Sequence, residues 1–324
     1  MSAIRQQGRV NENTVLIDIG MYGVAGATAV YLIEGSRKCL IDGGTRTGAR
    51  SIIKVLRQLD AFPPDIIVVT HSHYDHTQGT PILQREAAKE GKVIEVMASQ
   101  AAIPLLKDQS WNEVYNAGPY ENIREVTPLK ENDIIDLGNT NLRVYEVPGH
   151  CKDHIAIMDE KLKNIFIGDA IGDKIADNSF LPPFMPPYWD PDAFLSTINK
   201  LKHIDYGSLC LAHFGYIYGE ESKQILDEAV RVYETWWRLF DENADKLQDI
   251  NYMTERVIAD IKPGIPEIKI LSLKLKVLFS LMTGWQRLVR KPAQPLGELL
   301  LRGILKQLAD GYKTYTSSNK QPES

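Results

Sequence analysis

Apolar residues in the first two-thirds of the chain come in short runs separated by glycine-containing turns, a pattern that predicts strands. Residues 15–20, 28–35 and 38–43 are three such runs. Residues 50–59 space their apolar positions as a helix does. Residues 65–70 (DIIVVT) read as a buried strand, 80–89 as a helix and 93–97 as another strand. Further strands are expected at 133–137, 142–147, 154–159 and 164–167. This order predicts a mixed α/β architecture of two sheets with outer helices.

A proline- and aromatic-rich stretch, residues 180–189 (FLPPFMPPYW), excludes regular ladder or helix structure. Asp190-Pro191 then reads as an N-cap with proline at the first helical position. Phe194, Leu195, Ile198 and Leu201 form the expected buried stripe of the helix that follows. Residues 208–212 (SLCLA) are a short strand ending at His213. Beyond Gly219 the pattern is helical only. Ile225, Ala229, Val232, Trp236 and Phe240 share one face. Residues 268–285 repeat apolar positions at three and four, although 270–277 also alternate as a strand would. Leu296, Leu299, Leu300, Ile304 and Leu308 predict a final helix, and the polar tail 316–324 is expected to be disordered. The expected division is a catalytic domain at 1–218, a helical extension at 219–315 and the tail at 316–324.

Composition narrows the function classes. The 324 residues are 44% hydrophobic and 24% charged, ordinary for a globular protein. A net charge of −5 gives no hint of a nucleic-acid surface, and the basic residues between Arg287 and Lys291 read as a solvated helix end. The N-terminus lacks the apolar core of a secretory signal. Lys269, Lys274 and Lys276 interrupt the most apolar long stretch, which argues against a membrane span. Three cysteines, Cys39, Cys151 and Cys210, support neither a disulfide framework nor a metal knuckle, so a cytoplasmic setting is expected.

The chemistry concentrates in residues 70–79, THSHYDHTQG. His71, His73 and His76 fall within six residues, with Asp75 among them. Imidazole and carboxylate suit a divalent transition metal. On extended backbone His71 and His73 point the same way and can chelate one ion. A turn at Tyr74 would let Asp75 and His76 face a second, held by a helix starting near Thr77. Four ligand-type residues in six, at the end of a buried strand, are hard to explain as ordinary core or surface positions. His150, Asp169 and His213 each follow a predicted strand, where a scaffold displays functional groups. Singly, each is as readily structural.

The order H-x-H-x-D-H, then His150, Asp169 and His213, resembles the metallo-β-lactamase superfamily over roughly residues 15–215. The resemblance implies an αββα sandwich, here with a C-terminal all-helical extension. It implies one metal on His71, His73 and His150, a second on Asp75, His76 and His213, and Asp169 bridging them. It also implies two divalent ions, zinc first, with iron or manganese as alternatives. Asp42, in IDGG, matches an early acidic position that supports the site from behind; a plain turn carboxylate is the competing reading. His154 is read as structural or as a support of the ligands, His203 as a surface residue and Cys151 as a small buried one.

The implied function is hydrolysis of a carboxylic ester or thioester by a hydroxide shared between the ions, with Asp75 steering the nucleophile or carrying its proton. The spacing of the later ligands and the helices beyond them resemble the branch containing the quinolone-signal-response thioesterase and lactonase-like members. Alternatives are a phosphodiesterase, an iron-dependent thiol oxygenase, and a non-catalytic metal-containing binding protein. The expected partner is a small-molecule substrate. The helical extension is open between a lid or pocket wall, a homodimer surface and an outer support layer. Residues 180–189, with Phe184, Met185, Tyr188 and Trp189, either line an apolar pocket or form a packed connection. Tyr74 and Tyr216 are candidate oxyanion donors with packing as the competing role, and Asp173 is within reach of the site.

Overall fold

The computed structural model describes residues 3–21, 24–176, 179–261 and 296–318. Two seven-stranded sheets face each other. The first runs β2 (Gly8–Arg9), β3 (Thr14–Asp18), β4 (Ala29–Glu34), β5 (Lys38–Ile41), β6 (Ile66–Val69), β7 (Glu95–Ser99), β8 (Thr127–Leu129). The second runs β1 (Ala3–Ile4), β16 (Gly215–Tyr218), β15 (Ser208–Leu211), β12 (Asn164–Gly168), β11 (Ile155–Asp159), β10 (Asn141–Glu146), β9 (Ile134–Asp136). A small hairpin joins β13 (Asp173–Ala176) to β14 (Ser179–Leu181).

Three apolar clusters follow from this layering. Leu16, Tyr31, Ile33, Val144, Ile157 and Phe166 fill the space between the sheets. The outer face of the first sheet is covered by α1 (Ala49–Gln58), α3 (Thr80–Lys89) and α4 (Ile103–Lys107). The outer face of the second is covered by α5 (Pro191–His203), α6 (Glu221–Glu242), α7 (Ile250–Asp260) and α8 (Leu296–Ser318). Leu226, Trp236, Phe240 and Leu308 therefore share one core with Ile167 and Phe194. β6 pairs in parallel with both β5 and β7, which explains its unbroken Ile-Ile-Val-Val run: such a strand is buried on both faces.

Several expectations need correction. The motif segment is itself helical: a single turn, α2 (Tyr74–Thr77), precedes α3, so no helix starts at Thr77. Val93 is 89% exposed and the strand starts two residues later. Phe180 and Leu181 belong to β14, which stops where Pro182 begins the proline run. Leu195 is 40% exposed, whereas Phe194, Ile198 and Leu201 are buried as one helical face. α8 continues through Thr316 to Ser318, with Thr316 Oγ1 donating to Tyr312 O at 3.0 Å. The short strands β1, β2, β8, β13 and β16 had no clear periodic signal. Residues 268–285, the basic run at 287–291 and the tail from 319 lie outside the described residues.

Asp190 caps α5 as its sequence implied: its carboxylate accepts from Asp192 N and Ala193 N, both at 3.0 Å. Asp190→Ala should cost about 1 kcal/mol. Thermal unfolding would show a melting temperature lower by roughly 2–4 °C; an unchanged value would show that the cap contributes nothing.

Candidate metal centre

β6 ends at Val69, and the chain turns inward at Thr70, which is fully buried. Thr70 N and Oγ1 both donate to Asp42, at 2.7 Å and 2.9–3.0 Å. Ser72 N donates to the buried Asp153 carboxylate at 2.8 Å, and Thr77 Oγ1 donates to His73 O at 3.0 Å. These bonds pin the motif on both sides. The later elements bring the rest: His150 follows β10, Asp169 follows β12 and His213 follows β15.

Seven side chains converge. His71, His73, His150 and Asp169 bring one polar atom each within 4.8 Å of one another, as do Asp75, His76 and His213. All seven are buried. His71 Nε2 and His150 Nε2 lie 3.0 and 2.9 Å from His73 Nδ1. Asp169 Oδ2 is 3.2 Å from His76 Nε2, 3.5 Å from His213 Nε2, 3.7 Å from His150 Nε2 and 3.8 Å from His71 Nε2. Asp75 Oδ2 is 3.2 Å from His213 Nε2.

The outward faces of the rings determine where their protons sit. His150 Nδ1 faces Pro183 O at 2.7 Å, and His213 Nδ1 faces Ala27 O at 2.7 Å. A carbonyl only accepts, so both nitrogens carry hydrogen. His76 Nδ1 faces Asp42 Oδ2 at 2.8 Å and donates likewise. Thr70 Oγ1 spends its hydrogen on Asp42, so it accepts from His71 Nδ1 at 3.2 Å. The Tyr115 hydroxyl donates to Pro186 O, so it accepts from His73 Nε2 at 3.1 Å. In its neutral form each ring is thus left with a bare nitrogen pointing inward. Five inward nitrogens and the Asp169 and Asp75 carboxylates face one volume. Asp169 Oδ1 is buried and has no hydrogen-bond partner among the described residues.

The electrostatics divide the cluster. Burial, reinforced by neighbouring imidazoles, holds His71 and His73 well below the ordinary histidine range, and burial lowers His150 too. Burial would also depress His213, but Asp169, Asp173 and Asp75 outweigh it and push the group up to about 10. His76 is raised for the same reason, by Asp169, Asp42 and Asp75. Burial alone would raise Asp169; His76 and His213 overcome it and hold the carboxyl well below the usual range. One half of the cluster is neutral donors; in the other, Asp169 and Asp75 hold His76 and His213 in their protonated form, so a bound cation there would take the place of their inward protons. This donor set fits divalent metal ions.

Neighbouring residues sort clearly. Asp42 has φ 68° at a turn and also contacts His76 and Thr70, so both readings of it describe the same residue. His154 accepts from Asp169 N at 3.1 Å and its ring stacks on His71 at 4.5 Å; it supports both residues without joining the cluster. His203 is exposed and Cys151 is buried. Asp173 stands with Asp169 and His213, and its burial raises its pKa. The Tyr216 hydroxyl donates to Asn164 Oδ1 at 3.2 Å, which removes it from the oxyanion role. Tyr74 packs its ring against Tyr115 at 5.5 Å. Phe184 and Trp189 are core residues, so most of residues 180–189 is packed connection; Tyr188 instead meets Trp111 at 5.7 Å. Sequence reasoning missed Tyr115 and Asp153. Asp153 had a faint signal, an acid between His150 and His154; Tyr115 had none.

Residues 23–213 match the family model of the metallo-beta-lactamase superfamily. The chain belongs to that superfamily. Among curated proteins it is 29% identical over 161 residues to the acyl-coenzyme A thioesterase MBLAC2 of Gallus gallus, covering 44% of this chain and 57% of that protein. It is 28% identical over 123 residues to a hydroxyacylglutathione hydrolase of Methylobacterium sp. (strain 4-46), covering 38% and 40%. The chain thus spans 57% and 40% of the length of these relatives. Among solved structures, an archaeal superfamily protein from Sulfolobus tokodaii superposes with a TM-score of 0.54 at 20% identity, over 70% of this chain and 87% of that one. The subclass B3 metallo-beta-lactamase BJP-1 of Bradyrhizobium japonicum superposes at 0.56 and 16% identity, over 76% and 96%. These likenesses establish the fold, an αββα sandwich with C-terminal helices. Among the described residues no helix is long and apolar enough to cross a membrane.

Proposed function

We propose that this protein is a binuclear metal-dependent hydrolase of a carboxylic ester or thioester, with thioesters the first class to test. The observation that carries the reading is the set of five outward N–H groups, each held by a fixed acceptor, that turns the other nitrogen of five imidazoles toward Asp169. His71, His73 and His150 would hold one ion, Asp75, His76 and His213 the other, and Asp169 would reach both. When bound, such ions supply a nucleophilic water at neutral pH and polarise the acyl carbonyl. The chain's own part is to keep the five rings in one tautomer, to exclude bulk water and to place Asp75, 11% exposed at its side chain, where it can take the proton of the attacking water. Two relatives whose names specify thioester substrates support this substrate class. Zinc is the first metal to test, with iron and manganese close behind, because the nitrogen and oxygen donors accept all three.

The test is elemental analysis of protein purified without added metal, followed by assays with acyl-coenzyme A, acyl-glutathione, nitrophenyl ester and bis-nitrophenyl phosphate. The expected result is about two ions per chain and chelator-sensitive thioester turnover. Turnover of the phosphodiester alone, or full thioester activity in metal-free protein, overturns the proposal. Asp42→Asn weakens the acceptor of His76 Nδ1–H and Thr70 without emptying the space. It should lower metal affinity or kcat/KM by about 10–100-fold; a competition titration against a chelator reads the first, and wild-type values would show that the contact is idle.

A further inference from the structure

One of the outward acceptors lies on a loop that also fixes a second. His150 Nδ1 donates to Pro183 O, and the Tyr115 hydroxyl, which accepts from His73 Nε2, donates to Pro186 O. Both carbonyls lie in the segment between β14 and α5. Pro183 O also accepts from Met185 N at 2.9 Å, and the two lone pairs of a carbonyl oxygen let it serve both donors. A segment that fixes two metal-facing rings must itself be immobile, and the C-terminal helices hold it. Phe184 is fully buried, its ring 5.8 Å from Trp237 and 5.6 Å from Phe240, both on α6. Gly311 of α8 lies directly on the loop. A Cβ there would overlap Phe184 O and stand 2.9 Å from Phe184 C and 3.1 Å from Met185 C.

The geometry points to Tyr115 as a positioning residue for His73, and to α8 as a clamp that holds, through Gly311, the 183–186 backbone that sets the protons of His73 and His150. This rests on the reading of those rings as metal ligands. It assigns the helical extension a function beyond covering the sheet: the last helix is coupled to the metal centre through one loop. The ring of Tyr115 also packs against His73, with centroids 5.2 Å apart, so packing and hydroxyl must be separated. Tyr115→Phe does so, since it keeps the ring and removes the acceptor. For the clamp, Gly311→Ala is compared with Gly303→Ala on the same helix, where an added Cβ meets nothing within 4 Å. Both changes raise helix propensity equally, so the difference between them reports the contact.

The experiment has two readouts, neither of them turnover. Ring ¹⁵N NMR of the metal-free protein is expected to show His73 protonated at Nε2 in the wild type and a mixture of tautomers in Tyr115→Phe. Chelator competition with zinc is expected to show affinity about 10–100-fold weaker in Tyr115→Phe, weaker also in Gly311→Ala, and unchanged in Gly303→Ala. A wild-type His73 tautomer in Tyr115→Phe overturns the relay, whatever the affinity. Equal zinc binding by the two glycine variants overturns the clamp. Wild-type protein that binds two zinc ions but hydrolyses no thioester defeats the proposed function and leaves this inference standing; wild-type protein that binds no zinc defeats both.

Discussion

If the proposed binuclear thioesterase reading holds, Asp169→Ala is expected to leave at most one metal ion per chain and to lower thioester kcat/KM beyond the ~10–100-fold that loss of an outer partner costs. The expectation follows from the position of one atom. Asp169 Oδ2 lies within 3.8 Å of the inward nitrogens of His71, His76, His150 and His213, which belong to both halves of the cluster. No other described carboxylate makes all four approaches. Without it, the three neutral imidazoles on one side and the Asp75, His76 and His213 group on the other lose the one carboxylate that approaches both. The remaining rings keep their outward partners, so the fold should survive while the proposed pair of ions should not. Elemental analysis and circular dichroism on the same preparation separate these effects. A folded variant that retains two ions and wild-type turnover would remove Asp169 from the centre of the mechanism. Asp169→Asn is the sharper version: it keeps the shape and removes the charge that makes the second half attractive to cations.

The ligand-type residues were legible in sequence because metal chemistry demands particular atoms and the fold delivers them at strand ends. His71, His73, Asp75 and His76 are crowded enough to be conspicuous, and His150, Asp169 and His213 each follow a readable apolar strand. The groups that orient them were far less legible. Pro183, Pro186 and Ala27 act through backbone carbonyls, which carry no side-chain signature. Tyr115 lies on a 3₁₀ segment, Gln109–Tyr115, with no apolar period, and reaches His73 only because α4 and the following loop fold back over the motif. The same limit applied to the fold. β6 and α3 are strongly patterned and were predicted closely. β1, β8 and β16 are two to four residues long and exist because neighbouring strands offer them partners. Leu195 misled because an apolar residue on a surface helix need not face inward.

The site also depends on a contact that contains no functional side chain. The IDGG turn after β5 and the HTQG segment of the motif meet backbone to backbone: Gly43 N donates to His76 O and Gly79 N to Gly44 O, both at 2.8 Å. This is what brings the Asp42 carboxylate onto His76. The approach leaves no room for a methyl on either side. A Cβ on Gly79 would overlap Gly43 O and stand 3.1 Å from Gly43 C; one on Gly43 would overlap Thr80 Oγ1 and stand 2.8 Å from Thr80 N. Backbone atoms cannot rotate away as a side chain can, so the two turns must separate. Gly79→Ala is therefore expected to cost about 3 kcal/mol, the upper part of the range for overpacking, and to lower the melting temperature by roughly 6–12 °C. Metal affinity should fall with it, because separation draws Asp42 away from His76 Nδ1. Gly207→Ala is the control: its nearest neighbours would be 3.8 Å from the new Cβ, and it should melt close to wild type. If Gly79→Ala melts with Gly207→Ala, the two turns are more compliant than their hydrogen bonds indicate, and the hold of Asp42 on His76 must come from Thr70 alone.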